Sequence, residues 1–427
     1  MSIHEFIREH AVKVNDGSGV LVQCLSEEFS YILTAKHTLK PQNRVETWDG
    51  QPLAIIDIYH HSEDCALLTI PIVHDLSLVR FKSNKFDYKN GVIFGGFPNC
   101  RASETTPETR FRTYDGKVKQ LDKAFYLTID GLPPKSQIEG ASGGGVYIIV
   151  GEKPYLIGVE IEMAGPQPQE PGVVLCYDMA RFDEIVKEHN LPPILPSFLS
   201  CFSKIRPNTF NYTLNSPTIL NVLRQQLHRK AEGLVRGGIP KPYELLALYD
   251  KGLIVTGQPD EAMYDLQLWS AYAEFFVLHS LLNDVKVMDL SYLKSMEKTS
   301  RFVYSRRKDG WLQDLNNIIS SARKLLDNGG VLVVSSGDVG SPPIADKSFI
   351  KYLVENIATP SAEYEDEEGA RIDMGLESGD IPFSFALLGS LHRECITRNE
   401  QAFLSLNTAQ LMDLFKDKYA DEFNKCK

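Results

Sequence analysis

A change of rhythm near residue 190 constrains this chain more than any other feature. From residue 11 to about 180 the apolar residues come in short runs separated by turn residues: Ala11–Val14, Gly19–Cys24, Phe29–Thr34, Leu53–Ile58, Ala66–Ile70, Gly91–Phe94, Phe125–Ile129, Gly145–Val150, Tyr155–Ile161 and Gly172–Cys176. Asp16-Gly17, Asp49-Gly50, Asp115-Gly116 and Gly151-Glu152 punctuate them as turn signals. Many short strands with regular turns specify a barrel or sandwich rather than a βαβ sheet. A closing helix is expected at Met179–His189, and then Leu191-Pro-Pro-Ile-Leu-Pro196 discourages any regular element.

Beyond these prolines the period becomes helical. Ser216-Pro217 reads as a cap and first turn ahead of Ile219, Val222, Leu223 and Leu227 on one face. Pro259–Leu282 reads as a long apolar helix, and Trp311 to Leu326 repeats at helical spacing up to the stop signal Asn328-Gly329-Gly330, with strand-like Val331–Val334 next. Thr408 is placed as the cap of a last helix through Leu411, Leu414, Phe415 and Phe423. The expected fold class is therefore α+β and multidomain: an all-β double barrel over 1–190, a Pro-rich linker at 191–198, and a mainly helical domain with a small sheet over 199–427.

Composition limits the function. The 427 residues are 43% hydrophobic, with 45 basic against 56 acidic side chains, a net charge of −11. Neither half is basic, and residues 1–196 carry 19 basic and 26 acidic side chains. A long electrostatic footprint on nucleic acid is not expected. No secretory signal opens the sequence and no apolar run has the length of a membrane span, so a cytoplasmic protein without membrane contact is expected. The seven cysteines show no metal-ligand spacing and read as reduced core thiols. Glu363-Tyr-Glu-Asp-Glu-Glu368 reads as a solvated loop.

Three segments of the β-rich half carry candidate chemistry. Tyr31-Ile-Leu-Thr-Ala-Lys-His37 delivers an imidazole at a strand end. In His60-His-Ser-Glu-Asp64 the carboxylate of Asp64 precedes an apolar strand, where it can reach a histidine nitrogen. His60, His61 and Glu63 invite a metal reading, but adjacent histidines on an extended chain point to opposite sides. In Glu139-Gly-Ala-Ser-Gly-Gly-Gly145 the flanking glycines let Ser142 take a sharp turn, with the amides of Gly140 and Ser142 free to form an oxyanion hole. A phosphate loop would need a Lys and a helix after the last Gly, whereas Val146–Val150 reads as a strand.

Together these segments resemble the trypsin-like, chymotrypsin-fold serine proteases. Thr34-Ala-Lys-His37 is similar to the family's Thr-Ala-Ala-His, Asp64-Cys-Ala-Leu-Leu to its Asp-Ile-Ala-Leu-Leu, and Gly140-Ala-Ser-Gly-Gly144 to its Gly-Asp-Ser-Gly-Gly. Gly17-Ser-Gly-Val-Leu-Val22 resembles the Gly-Thr-Gly-Phe-Leu-Val strand of bacterial members. The resemblance implies a serine endopeptidase acting on protein through Ser142, His37 and Asp64, with Gly140 and Ser142 as oxyanion donors and no metal or organic cofactor.

Two departures stand out. Where the animal digestive members have Asp before the nucleophile this chain has Ala141, so activation by a newly cut N-terminus pairing with that Asp is excluded. The helical region does not read as the PDZ domain of bacterial stress proteases. By analogy the substrate pocket is lined near Ser136–Glu139, by Gly158–Met163 and by the strand from Gly172. Alternation places Glu160 and Glu162 on one face. If that face lines the pocket, a basic residue is favoured; if both glutamates face solvent, Ser136 leaves a neutral pocket.

For the second half three readings compete. A regulatory domain would release the active site on a signal or partner, and the architecture resembles proteases of multi-component anti-phage defence systems, with a regulatory protein partner such as an ATPase of the same system. A catalytically silent protease-like scaffold is the alternative, against which the intact His37, Asp64 and Ser142 speak. A nucleotide site is suggested by Ser335, Ser336, Gly337, Asp338 and Gly340 after a strand, but Pro342-Pro343 follow and no Gly-x-Gly-x-x-Gly occurs.

Overall fold

The computed structural model describes residues 2–74, 76–81, 91–120, 123–150, 153–163, 171–255, 260–306, 317–318, 326–327, 329–336 and 384–426. The chain divides into two compact units, Met1–Ser200 and Cys201–Lys427.

In the first unit an N-terminal helix, Ile3–Glu9, is closed by a capping box between Ser2 and Glu5. Two seven-stranded sheets follow. The first has Phe29–Thr34 near its middle, paired on one side with Gly17–Val22 and on the other with Ala66–Pro71, all antiparallel. Its inner positions are apolar: Val12, Val14, Leu21, Ile32, Val45, Leu68 and Ile70 form one cluster.

The second sheet closes on itself. Gly145–Val150 pairs with Val92–Gly96, then come Arg112–Gln120, Ala124–Ile129, Val173–Asp178 and Lys153–Met163, which pairs back onto Gly145–Val150. Closure leaves these six antiparallel strands without a free edge, and only Val79–Arg80 adds outside the ring, in parallel. Phe94, Phe125, Leu127, Val146, Ile157 and Val174 fill its interior. The double-barrel expectation matches this pair of barrel-like sheets.

The turn signals fared unevenly. Asn15, at φ 52°, and Asp16 form the two-residue loop of a hairpin in which Val14 faces Gly17, as Asp16-Gly17 suggests. Asp49-Gly50 is likewise a turn, with Gly50 at φ 86°. Asp115-Gly116 is not. Both residues lie inside the nine-residue strand Arg112–Gln120, where Gly116 stands opposite Val92 on one side and Ile129 on the other. A Cβ on Gly116 would lie 2.6 Å from the Thr128 oxygen, so this glycine permits close strand approach rather than chain reversal. Gly151-Glu152 lies outside the described residues.

A helix at Met179–Glu188, capped by Asp178, packs Phe182 and Ile185 into the first unit's core. The Pro-rich segment is bound to that unit. Ile194 is buried in its core, the Tyr31 hydroxyl donates to the Pro192 carbonyl at 2.8 Å, and Leu25 N donates to Pro193 O.

The second unit is mainly helical with a small sheet. Helices Pro217–Arg236, Leu266–Leu282, Leu290–Thr299, Leu388–Cys395 and Thr408–Cys426 surround three parallel strands, Ser300–Ser305, Val331–Ser336 and Ser384–Leu387. The apolar helix is shorter than expected, because Asp260–Tyr264 forms a 3-10 turn before Leu266. Ser216 precedes Pro217 without capping through its side chain; Glu400 does that work, accepting from the amides of Asn215 and Ser216. Thr408 is also not a cap: Asn407 Oδ1 accepts from Gln410 N while Gln410 Oε1 accepts from Asn407 N. Trp311, Leu315, Asn328, the segment Gly337–Gly340 with Pro342-Pro343, and Glu363–Glu368 lie outside the described residues.

Candidate active site

The first sheet delivers the imidazole. Strand Phe29–Thr34 ends in the buried Thr34 and Ala35, and the one-turn 3-10 helix Lys36–Thr38 lifts His37 onto the rim. The turn is fixed from below: Thr34 Oγ1 donates to Ser18 O at 2.6 Å, and Thr38 Oγ1 donates to Ala35 O at 2.7 Å.

Asp64 reaches His37 twice. Its Oδ1 accepts from His37 N at 2.8 Å, and its Oδ2 meets His37 Nδ1 at 2.7 Å. The loop before strand Ala66–Pro71 sets this position, with Cys65 N bonded to Glu63 O and His61 N to Cys65 O. Engaging Nδ1 leaves Nε2 as the free nitrogen facing outward. The hydrogen bond to Asp64 raises the His37 pKa above 6.5 against the opposing effect of burial, and the charges of Asp64, Glu160 and Glu162 add to the rise. His60 is exposed and His61 is buried, where its Nε2 meets Glu184 at 3.1 Å, so the two point apart and neither joins His37.

Ser142 lies in a loop held by both sheets. Ala141 N donates to Ile138 O, and Gly140 at φ 92° occupies the left-handed third position of a type II turn. Glu139 O is bound to Asn99 N at 2.7 Å, which fixes the peptide whose N–H belongs to Gly140. Among the described hydrogen bonds the amides of Gly140 and Ser142 have no acceptor, as an oxyanion site requires. Ala141 is completely buried and packed against Gly96.

Sequence reasoning missed Ser18. This buried residue donates from N to Ser142 O at 2.7 Å and from Oγ to Gly140 O at 3.1 Å, while Oγ accepts from Phe97 N at 2.8 Å. It stitches the first sheet to the nucleophile loop. Gly143, at φ 91°, sits so close that a Cβ would lie 1.9 Å from Ser18 O. The signal was present in Gly17-Ser-Gly19, where small residues permit this approach.

His37, Asp64, Gly140, Ser142, Glu160 and Glu162 line one cleft of about 490 Å³. Ser136 and Gly172 are not among its described lining. Ser136 is exposed on a 3-10 turn, and Gly172 is buried with Leu132 backbone 2.5 Å from where its Cβ would stand. The two glutamates differ. Glu162 is exposed, whereas Glu160 is 1% exposed, so the alternative in which both face solvent fails. An irregularity in the pairing with Val173–Asp178 falls between them and breaks simple alternation.

Glu160 is tied to the nucleophile loop through its backbone: its N donates to Gly144 O and its O accepts from Gly143 N at 2.8 Å. Burial pushes its carboxyl pKa up to about 8; His37 and the Ser142 hydroxyl pull it down, and Glu162 and Asp64 add to the rise. Among the described hydrogen bonds, none joins Ser142 Oγ to His37. No group of three metal-ligating side chains occurs among the described residues.

Comparison with known proteins gives two kinds of likeness. The family model "C-terminal domain 4 of the ABC-three component (ABC-3C) systems" matches residues 176–397. Among solved structures, kallikrein-related peptidase 10 aligns with 44% of this chain and 98% of its own at 14% identity, with a TM-score of 0.34. Neuropsin, a serine protease from mouse brain, aligns with 44% of this chain and 97% of its own at 15% identity and a TM-score of 0.34. A search of curated proteins finds no match. No helix among the described residues is long and apolar enough to cross a membrane.

Proposed function

This chain belongs to the family defined by C-terminal domain 4 of the ABC-three component (ABC-3C) systems, and we propose that it is a serine endopeptidase whose first unit cuts protein substrates as part of such a system. The observation that carries the reading is the pair of hydrogen bonds between Asp64 and His37, in one cleft with Ser142, whose loop has Gly140 and Ser142 amides with no acceptor among the described hydrogen bonds.

In this reading Ser142 Oγ attacks the scissile carbonyl carbon while His37 Nε2 takes the hydroxyl proton. Asp64 holds the tautomer and stabilises the imidazolium. The carbonyl oxygen, now negative, is held by the Gly140 and Ser142 amides. The C–N bond breaks as His37 returns the proton to the departing amine, leaving an acyl ester on Ser142. Water, deprotonated by the same imidazole, then releases the new carboxyl terminus and restores the hydroxyl.

The second unit is assigned control of this site. Ala141 stands where animal digestive trypsin-like proteases carry the Asp used in their activation, and a protease inside its own cell needs another form of control. Membership of a three-component family supports regulation by a protein partner, for which an ATPase of the same system is the proposed kind, and a role in anti-phage defence. A resting form is favoured by the absence, among the described residues, of a Ser142–His37 hydrogen bond.

The test is cleavage itself. The chain, or its Ser142→Ala variant, is produced alone and together with the other components of its system, and new protein N-termini are mapped by amine labelling. Termini that need Ser142 and multiply with the partners support the proposal. Identical termini with wild type and variant under every condition favour the silent scaffold.

A further inference from the structure

On strand Lys153–Met163 eight consecutive residues, Pro154–Ile161, are buried, and Glu160 is the one acid among them. A glutamate is a costly choice for such a place. Its Oε2 has no hydrogen-bond partner among the described residues, and an unpaired polar atom taken out of water is destabilising, more so if charged. The neighbours Val159 and Ile161 pack into a hydrocarbon core on the opposite face of the strand, and Glu160 takes no part in that packing.

The carboxyl also stands where substrate must pass. Glu160 lines the same cleft as His37 and Ser142, and its backbone is bonded on both sides to the glycines that follow Ser142. The groups acting most strongly on it are His37, the Ser142 hydroxyl, Glu162 and Asp64, with the Cys176 thiol nearby; none carries a permanent positive charge. The cleft is acidic as a whole. Of its two lysines, Lys40 is engaged by Asp16, while Asp64, Glu139, Glu160 and Glu162 all face it.

We propose that Glu160 is the specificity-determining residue of this site, its unpaired oxygen receiving the cationic head of a Lys or Arg side chain on the residue that precedes the scissile bond. The inference rests on the protease reading of Ser142. A charge-assisted bond in a partly dry cleft is stronger than a neutral one, and an incoming cation supplies the partner that the fold withholds. The carboxyl proton leaves to solvent as the cation docks, so charge balances in the filled cleft. The cleft shared with His37 and Ser142, and the Ser142 hydroxyl acting on it, put the carboxyl next to the carbonyl that Ser142 attacks, which selects the adjoining side chain rather than a remote one.

The experiment uses the full chain and a set of peptidyl diphenyl phosphonates that differ only in the residue bearing phosphorus: Arg, Lys, Gln, Leu or Glu. A fluorophosphonate lacking any peptide serves as the common reference. Modification of Ser142 at least tenfold faster by the Arg and Lys reagents than by Leu, with that ratio collapsing in Glu160→Gln, is the expected result. Modification with no preference for Arg or Lys overturns the specificity assignment while leaving the protease reading intact. Failure of every reagent, the fluorophosphonate included, overturns the protease reading and the assignment with it. A second readout does not need a working nucleophile: benzamidine should raise the melting temperature of wild type and of Ser142→Ala but not of Glu160→Gln, and equal shifts in all three contradict the proposal.

Discussion

Asp64 holds His37 at two points, accepting from its backbone N–H with one carboxylate oxygen and meeting its ring Nδ1 with the other. The first bond places the residue and the second orients the ring. A carboxylate performs both tasks at once because each of its oxygens accepts. Asp64→Asn separates them: one amide oxygen can keep the backbone bond, but the amide nitrogen presents a donor to Nδ1 and favours the wrong tautomer. A loss of about ten-thousandfold in kcat is expected with little change in melting temperature. The acid limb of the rate profile tests the electrostatics separately. In the wild type its midpoint lies above 6.5, because the bond to Asp64 favours the imidazolium, and the variant's midpoint moves down.

Gly143 and Ser18 form the tightest approach in the site. Gly143→Ala would place a methyl 1.9 Å from a backbone oxygen at φ 91°, so the loop must move. A cost of about 3 kcal/mol or more is expected, read as a drop in melting temperature together with loss of Ser142 labelling. Ser18→Ala removes the hydroxyl that bonds Gly140 O and Phe97 N and is expected to cost about 1–3 kcal/mol. Normal labelling by both variants would mean that the loop is held by something else.

These two positions also mark how far the sequence was legible. His37, Asp64 and Ser142 stood out because each sits in a short motif whose neighbours are constrained by the same backbone geometry. Ser18 did not, since its importance comes from a contact across 124 positions of sequence, to Ser142 O, that only the folded sheets create. Strand Arg112–Gln120 was missed because Asp-Gly is a turn signal wherever strands do not press together, and Gly116 lies where they do. Glu160 was ambiguous for a related reason: alternation tied it to Glu162, and the irregular pairing with Val173–Asp178 separated them. In the second unit the parallel strands Ser300–Ser305 and Ser384–Leu387 are short and begin with serine, too weak a pattern to register, whereas the helices announced themselves through period.

The Glu160 carboxyl makes a pH prediction with a definite sign. Its pKa is raised from 4.5 to about 8 by burial, so between those values the folded chain binds a proton that the unfolded chain has released. Stability contributed by this group is therefore present below 4.5 and is lost as pH rises through about 8. His37 shifts stability in the same sense through its own raised pKa, and less so in the variant, which lacks the Glu160 charge that adds to that rise. Glu160→Gln stays neutral throughout. The melting temperature of Glu160→Gln relative to wild type should rise steadily from pH 5 to pH 9 in matched buffers, and a constant difference would show that the carboxyl is ionised and paired in the folded state.

In the second unit Glu400 closes the start of helix Pro217–Arg236 from a distant part of the chain, bonding Asn215 N, Asn215 Nδ2 and Ser216 N. Those bonds hold its carboxyl below the usual range, so its contribution is present above pH 4.5 and fades as pH falls through the lowered value. Glu400→Ala should lower the melting temperature at pH 7 and speed amide exchange in residues 218–220 selectively. Unchanged exchange there would mean the helix start does not depend on this cap.

The central claim is that Ser142 is a nucleophile made reactive by His37 and Asp64. Intact-protein mass spectrometry after exposure to a fluorophosphonate, with the partner proteins present, measures it directly. One adduct per chain, mapped to Ser142, absent in Ser142→Ala and formed far more slowly in His37→Ala, is the predicted result. An unmodified wild-type chain, or an adduct that forms equally fast without His37, would contradict it.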